Sequence, residues 1–200
     1  MKRLSLMVLS VMAAISLVQR ASAEVDFIVD VLPASIHANL AADDFWVSSP
    51  QWGQEKPSVF SVMPNVAIGA DIATTAGYLD LKAGTGLLLN SSLYSYMFYG
   101  TVGWYQEIKP SIFFGPHAGI TYFPAPDWWG NTEIEFTDTT GFVLGLHFSA
   151  GDKISYLVSV DYFSMAFDVD MATLPANTTV SDKSLDMSGI AAQFGLRIQF

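Results

Sequence analysis

The sequence predicts an all-β protein, an eight-stranded antiparallel up-and-down transmembrane β-barrel. Three observations lead to this prediction. Apolar residues recur at every second position through most of the chain, tight turns alternate with longer polar connectors, and the N-terminus reads as an export signal. The 200 residues are 51% hydrophobic and 14% charged, and the mean hydropathy of +0.35 is high for a soluble domain.

The composition excludes several classes of protein. Because the chain has no cysteine, it can form neither a disulfide framework nor a cysteine-based zinc finger. Its formal net charge of −10 argues against a nucleic-acid-binding groove, which needs a basic surface. Low charge combined with high hydrophobicity also argues against disorder.

The N-terminus has the three parts of a secretory signal peptide. Lys2 and Arg3 precede an apolar stretch from Leu4 to Val18, and the small residues at 21–23 follow. The apolar stretch has about 15 residues, whereas a membrane-spanning helix needs about 20. We therefore expect residues 1–23 to be a cleaved signal peptide and residues 24–200 to form the barrel domain. Cleavage leaves 6 basic and 19 acidic residues, a net charge of −13.

Period-two alternation defines the strands. The clearest example is the last segment, in which every even position from Ile190 to Phe200 is apolar and the odd positions are small or polar. A strand sends these two sets to opposite faces. In the stretch 93–107, aromatic residues occupy both the odd and the even positions (the two parities). The alternation therefore does not show which face of this strand points inward. Eight strands are predicted, at residues 24–36, 58–72, 77–90, 93–107, 110–123, 134–149, 153–168 and 186–200.

The connectors support a membrane barrel. Turns at 74–77, 108–110 and 150–153 are tight, whereas 37–57, 124–133 and 169–185 are long and polar, with a short link at 90–92 as the exception. Outer-membrane barrels have short periplasmic turns and longer external loops. The long connectors are therefore predicted to be extracellular.

The polar parity of the strands is predicted to face a closed lumen and the apolar parity to face lipid. The polar parity carries many glycines and few charges, which suits a narrow, filled interior better than a solvated exterior. Its mid-strand charges have mixed signs, and we expect them to form a polar network in the lumen: Asp80, Lys82, Asp161 and Arg197.

Aromatic residues near the strand ends predict a membrane-interface girdle. We expect Trp104 and Tyr105 at the periplasmic rim and Trp128 and Trp129 at the outer rim. The same alternation is compatible with a soluble lipocalin-type barrel if the apolar parity points inward, and this alternative stays open at this stage.

Two segments resemble bacterial outer-membrane proteins. The segment 194–200 is similar to their terminal strand, and the resemblance implies an assembly signal for the barrel-assembly machinery at Phe194, Leu196, Ile198 and Phe200. The segment 109–122, with its Lys-Pro start and regular glycines, resembles a strand of small OmpA/OmpX-type barrels. The resemblance implies an outer-membrane location, and we expect the barrel to lack a C-terminal periplasmic domain.

Catalysis is not expected. His147 and Ser149, with Asp161 further along, are similar to the triad of a lipid A deacylase, but the asparagine that usually follows the serine is absent. His147 also falls near a predicted periplasmic turn, away from lipid A. The palmitoyltransferase alternative needs an Asp-Ser dipeptide, which the chain lacks. No spaced set of metal ligands is evident, so we expect no metal and no cofactor.

The sequence therefore predicts an integral outer-membrane barrel with a structural or surface-interaction role, exercised through long acidic extracellular loops. The alternatives are a narrow pore or carrier for small or apolar solutes and, less favoured, a lipid A-modifying enzyme. The expected partners are outer-membrane lipids, lipopolysaccharide and the barrel-assembly machinery, without nucleic acid. The oligomeric state stays open.

Overall fold

The computed structural model describes residues 24–200, so the predicted signal peptide lies outside the described residues. Eight long strands run through the chain: β1 (Val25–Asn39), β2 (Asn65–Thr74), β3 (Gly77–Leu89), β4 (Leu93–Lys109), β5 (Ile112–Phe123), β6 (Thr139–Gly151), β7 (Ile154–Ser164) and β8 (Gly189–Gln199). Within residues 24–200, no helix is long and apolar enough to cross a membrane.

The eight strands close into a barrel. Each strand pairs antiparallel with the next, and β8 pairs back onto β1, from Ile28 opposite Gln199 to Asn39 opposite Gly189. Closure gives every strand edge a hydrogen-bonded partner, which a hydrocarbon environment requires. The predicted fold class and strand count are confirmed.

The predicted strand 58–72 is divided in two. A short strand, Phe60–Val62, pairs with residues 36–38 near the C-terminal end of β1, and β2 begins only at Asn65. The interruption contains Pro64, and β1 has its own register shift against β8 between Val31 and Ala34, around Pro33. Since proline has no backbone N–H, each of these positions lacks a ladder donor. The shift also changes which parity of β1 points inward.

Two further boundaries differ from the prediction by four or five residues. The strand expected at 134–149 begins at Thr139, and the strand expected at 153–168 ends at Ser164 and gives way to a separate strand, Ala166–Asp168. In both cases the remaining alternating residues belong to folded loops, because Ala166–Asp168 pairs with Ser184–Asp186 and Phe136 bridges to Val169.

The apolar parity points outward. On β8, Phe194 and Leu196 are exposed, whereas Gln193 and Arg197 are buried. The ambiguous strand β4 places its odd residues inside, Tyr105 among them, and its even residues outside. An apolar outer wall around a polar interior is the arrangement of a transmembrane barrel and the reverse of a soluble lipocalin-type barrel.

One end of the barrel is covered by a folded cap. The cap consists of loop 1 (40–64), loop 2 (90–92), loop 3 (124–138) and loop 4 (165–188), while the opposite end has the turns 75–76, 110–111 and 152–153. Loops 1 and 4 share a three-stranded sheet in which Val47–Ser49 pairs with both Gly53–Glu55 and Thr179–Val180. The cap has its own apolar core, which includes Phe45, Ile134, Phe136, Phe167, Leu185 and Met187 and continues into the barrel mouth.

Candidate functional site

The half of the barrel interior nearer the short turns, which is the end predicted to face the periplasm, contains a cluster of five charged side chains, the ionic plug. Arg197 donates from Nε and Nη2 to Asp30 at 2.8 and 2.9 Å, from Nη1 to Asp71 at 3.0 Å, and from Nη2 to Asp80 at 2.8 Å. Lys82 Nζ lies 3.1 Å from Asp30 Oδ2 and 3.5 Å from Asp80 Oδ1. One guanidinium therefore joins carboxylates from three strands.

Strand register explains why these side chains meet. Asp30 lies opposite Arg197 across the β1–β8 pair, and Asp71 lies opposite Asp80 across the β2–β3 pair. All five side chains are at most 9% exposed. Removing such charges from water is costly, and pairing with several hydrogen bonds offsets that cost. The plug holds three carboxylates and two cations.

Tyr105 forms one wall of the ionic plug. Its ring centroid lies 5.9 Å from Lys82 Nζ and 5.8 Å from the guanidinium carbon of Arg197, within the range of cation–π contacts. Its other neighbour is His147, whose ring stacks at a centroid distance of 4.3 Å. The expectation that Tyr105 lies at the membrane interface is therefore wrong, because the parity of β4 places its ring inside the barrel, where it is 2% exposed.

A second polar cluster, the Asp161 network, fills the middle of the barrel. Asp161 accepts hydrogen bonds from Ser159 and Gln193, and its Oδ1 lies 2.9 Å from His117 Nε2. Gln193 in turn accepts a hydrogen bond from the amide of Asn65 at 2.7 Å. Tyr99 extends the network by donating to Asn65 Oδ1 at 2.8 Å. The four residues predicted to form one lumen network therefore belong to two clusters. Asp80, Lys82 and Arg197 lie in the ionic plug, and Asp161 lies in the Asp161 network.

Glycines make room for the side chains that point inward. A Cβ atom on Gly145 would lie 1.8 Å from Asp161 Oδ1, and one on Gly84 would lie 2.3 Å from the Tyr99 ring. The glycine-rich polar parity of the strands therefore has a steric role. It lets large or charged side chains lie across a narrow lumen.

Small volumes remain between these clusters. A cavity of about 40 Å³ lies against Lys82, Thr101 and Asp161, and a cavity of about 30 Å³ lies below Arg197 on the periplasmic side. Each has room for roughly one or two water molecules. Above the Asp161 network, the interior passes into the apolar core of the cap.

The three weak catalytic candidates do not form a triad in the structure. His147 is buried against Tyr105, and its Nε2 has no hydrogen-bond partner within residues 24–200. Asp161 pairs with His117 instead. Ser149 is also buried, beside the periplasmic cavity. This arrangement gives the serine no activating base.

The remaining predicted residues lie on the outer wall and the cap. Trp104 and Trp129 are exposed, and Trp129 contacts Tyr94 edge to face at 5.3 Å. Trp128, expected at the interface, instead packs on Phe45 and Phe136 against the cap core, because its short strand pairs with the start of β4. In the C-terminal strand, Phe194, Leu196 and Phe200 are exposed and Ile198 is half-buried. Their role in assembly stays a prediction.

Glu55 joins loop 1 to loop 3. Its Oε1 accepts hydrogen bonds from the backbone and side-chain amides of Asn131 at 2.7 and 2.8 Å, and its Oε2 accepts one from the Thr132 backbone at 2.9 Å. Burial acts to raise the pKa of Glu55, but the hydrogen bonds from Asn131 and Thr132 together lower it below its usual value.

This pKa shift predicts acid loosening of the cap. Because the folded-state pKa is lowered, the Glu55 contacts stabilise the cap fully above about pH 4.5, and the stabilisation is lost as the pH falls through the folded-state pKa. Hydrogen exchange of the amides at 131–132 should therefore speed up several-fold in acid, after correction for the intrinsic rate. Glu55→Gln should exchange faster already at pH 7 and lose this pH dependence. Glu133→Gln, a matched change in loop 3, should keep it, and unchanged protection in Glu55→Gln would contradict the prediction.

Comparison with known proteins identifies the fold. No family model matches the chain, and no curated protein matches it in sequence. Among solved structures, the crystal structure of neisserial surface protein A aligns with a TM-score of 0.51 at 13% identity, over 90% of this chain and 100% of that chain. The crystal structure of the outer membrane protein OprG from Pseudomonas aeruginosa aligns with a TM-score of 0.51 at 12% identity, over 88% and 95% respectively. The chain thus has the fold of small eight-stranded outer-membrane β-barrels.

Proposed function

We propose that the protein is an integral outer-membrane barrel with a structural and surface-interaction role, exercised through its folded extracellular cap. The observation that carries the proposal is the filled interior. The ionic plug occupies the periplasmic half, the Asp161 network the middle, and the apolar cap core the outer mouth. A barrel filled in this way is suited to presenting a surface rather than to conducting solutes.

Charge distribution supports the surface role. The four external loops contain eleven acidic residues and two basic residues, so most of the −13 net charge of the predicted mature chain faces outward. The acidic residues are Asp43, Asp44, Glu55, Asp127, Glu133, Glu135, Asp138, Asp168, Asp170, Asp182 and Asp186. Such a surface favours cationic partners.

Conductance tests the closed interior. Purified protein in planar lipid bilayers is expected to show no discrete openings at neutral pH, while its band on detergent gels shifts between unheated and boiled samples. The gel shift serves as the control that the inserted protein is folded. Discrete single-channel openings by protein that passes this control would contradict the proposal.

One observation favours a carrier of small apolar solutes as the second candidate. Side chains of the barrel strands, including Leu88, Met97, Val143 and Phe163, join the loop residues in one apolar core. Opening of the cap would therefore uncover an apolar chamber in the outer mouth. A solute of similar polarity would replace the loop side chains there.

A reversible disulfide distinguishes the two functions. Ser48 and Thr179 are opposite each other in the sheet that joins loops 1 and 4, and the chain has no cysteine of its own. A Ser48→Cys/Thr179→Cys variant can therefore be locked by oxidation and released by reduction. Uptake of a fluorescent apolar dye by cells that rises only after reduction would support the carrier. Equal uptake in both states, and in a deletion strain, would support the surface role.

A further inference from the structure

The periplasmic end of the barrel contains a hollow in two parts, here called the vestibule. Its inner part is the cavity of about 30 Å³ next to Asp71, Tyr105 and Arg197. Its outer part is an open hollow of about 300 Å³ bordered by Asp26, Glu107 and Asp152. Both parts share Phe113, Gly151, Asp152 and Gln199, so the inner cavity continues into the mouth.

Two buried polar groups, each on a residue that lines the inner cavity, have no hydrogen-bond partner within the described residues. Asp71 has a side chain that is 9% exposed, and while its Oδ2 accepts from Arg197, its Oδ1 has no donor. The hydroxyl of Tyr105, a residue 2% exposed, is also unpaired. A buried carboxylate oxygen without a donor is costly, so this geometry favours a donor bound in the cavity.

The charge of the region identifies the kind of donor. Asp26, Asp71 and Asp80 lie side by side across β1, β2 and β3, and like charges directly opposite each other in a sheet are destabilising. The cations that face this row from inside are Lys82 and Arg197, and both also bind Asp30.

The mouth of the vestibule is acidic as well. Glu107 accepts a hydrogen bond from the backbone N–H of Ser111, and Asp152 accepts one from the Ser111 hydroxyl. Asp26 accepts a hydrogen bond from Gln199 at 2.8 Å. Lys153 is the basic side chain that lines this hollow. Acidic groups therefore outnumber basic ones at both the inner and the outer part of the vestibule.

The walls match an organic cation. Tyr78 and Phe113 meet edge to face at 5.3 Å where the inner cavity opens, so an alkyl chain can pass against aromatic surface. A primary ammonium has about the size of a water molecule and donates three hydrogen bonds, which suits a cavity of about 30 Å³ with an unpaired carboxylate oxygen and an unpaired hydroxyl.

We propose that the periplasmic vestibule is a binding site for a linear diamine. One ammonium occupies the inner cavity and donates to Asp71 Oδ1 and Tyr105, the alkyl chain lies along Tyr78 and Phe113, and the second ammonium lies among the mouth carboxylates. The site opens to the periplasm and is separated from the outside by the Asp161 network and the cap, so it binds a periplasmic ligand rather than passing it across the membrane.

Calorimetry with 1,4-diaminobutane tests this site. The full chain in nonionic detergent at low salt is expected to bind one diamine, whereas 1-aminobutane, with one ammonium, should bind at least tenfold more weakly. Asp71→Asn should weaken diamine binding at least tenfold, and Glu107→Gln should weaken it severalfold. Asp170→Asn, the same change in loop 4 on the opposite end, should leave binding unchanged.

The gel shift between unheated and boiled samples shows which variants are folded. If Asp71→Asn fails to assemble, Tyr105→Phe and Glu107→Gln test the inner cavity and the mouth separately. Absence of binding at millimolar diamine would overturn the proposal, as would equal affinities in wild type and in the folded vestibule variants. Equal binding of sodium or magnesium ions at the same concentration would also overturn it, because the site would then respond to charge alone.

Discussion

Replacing Arg197 with leucine is expected to destabilise the barrel by about 3–5 kcal/mol. The guanidinium is the common partner of Asp30, Asp71 and Asp80, and these carboxylates lie in a closed interior. Leucine removes the charge and all four hydrogen bonds, and leaves Lys82 as the remaining cation of the plug. Urea unfolding of the protein in lipid vesicles, followed by tryptophan fluorescence, measures the loss.

Three further variants make this result specific. Lys183→Leu, a matched change in an exposed part of loop 4, should stay within about 0.5 kcal/mol of wild type. Arg197→Lys should be intermediate, because one ammonium cannot reproduce the planar fork that reaches three carboxylates. Adding Asp71→Asn to Arg197→Leu should recover part of the stability by removing one uncompensated charge. A single Arg197→Leu variant within 1 kcal/mol of wild type would show that the plug is not needed for stability.

The sequence predicts the barrel well because alternation reports which face of a strand a residue occupies. The strand expected at 77–90 is observed at Gly77–Leu89, and the parity of the last segment is as predicted. Alternation fails where backbone chemistry interrupts the ladder. Pro33 and Pro64 are visible in the sequence, but their proximity in space depends on the β1–β2 register, which no local pattern contains.

The alternation of the sequence predicts which residues face the lumen. It does not predict how far along the barrel axis each of them lies. Asp80, Lys82 and Arg197 meet in the ionic plug and Asp161 does not, because parity does not report the position of a residue along the barrel axis. Asp30 and Asp71 also lie on the polar parity, and counting inward-facing charges on every strand would have found them. Tyr105 could not be assigned, because aromatic residues occupy both parities of β4.

The cap was not predictable at all from alternation. Long polar connectors gave no indication that loops 1, 3 and 4 share an apolar core, because that core is assembled from single side chains far apart in sequence, such as Phe45, Phe136 and Phe167. The signal that was available is the presence of these large apolar residues inside segments otherwise rich in Asp, Asn, Ser and Thr. Large apolar residues in a polar loop indicate that the loop is folded.

Phe167→Ala is expected to open the cap and leave the barrel folded. Phe167 is fully buried and contacts Phe123 at 5.9 Å and Phe136 at 6.5 Å between ring centroids. Truncating a buried phenylalanine costs about 3–5 kcal/mol, through lost burial and the cavity left behind. The strands of the cap are only two or three residues long, so the cap has few backbone hydrogen bonds between strands. These hydrogen bonds are too few to offset the stability lost with the Phe167 side chain.

Hydrogen exchange with mass-spectrometric detection measures the result by segment. Loops 1, 3 and 4 should lose protection together, because they contribute to the same core, whereas β1–β8 should keep theirs, because the closed ladder and the ionic plug are unchanged. Met171→Ala, in an exposed part of loop 4, serves as the control and should alter neither region. If loop 4 alone loses protection, the cap is not one cooperative unit. If β1–β8 lose protection as well, the cap contributes to the stability of the barrel itself. The division of the molecule into a rigid, filled barrel and a separately folded surface would then be wrong.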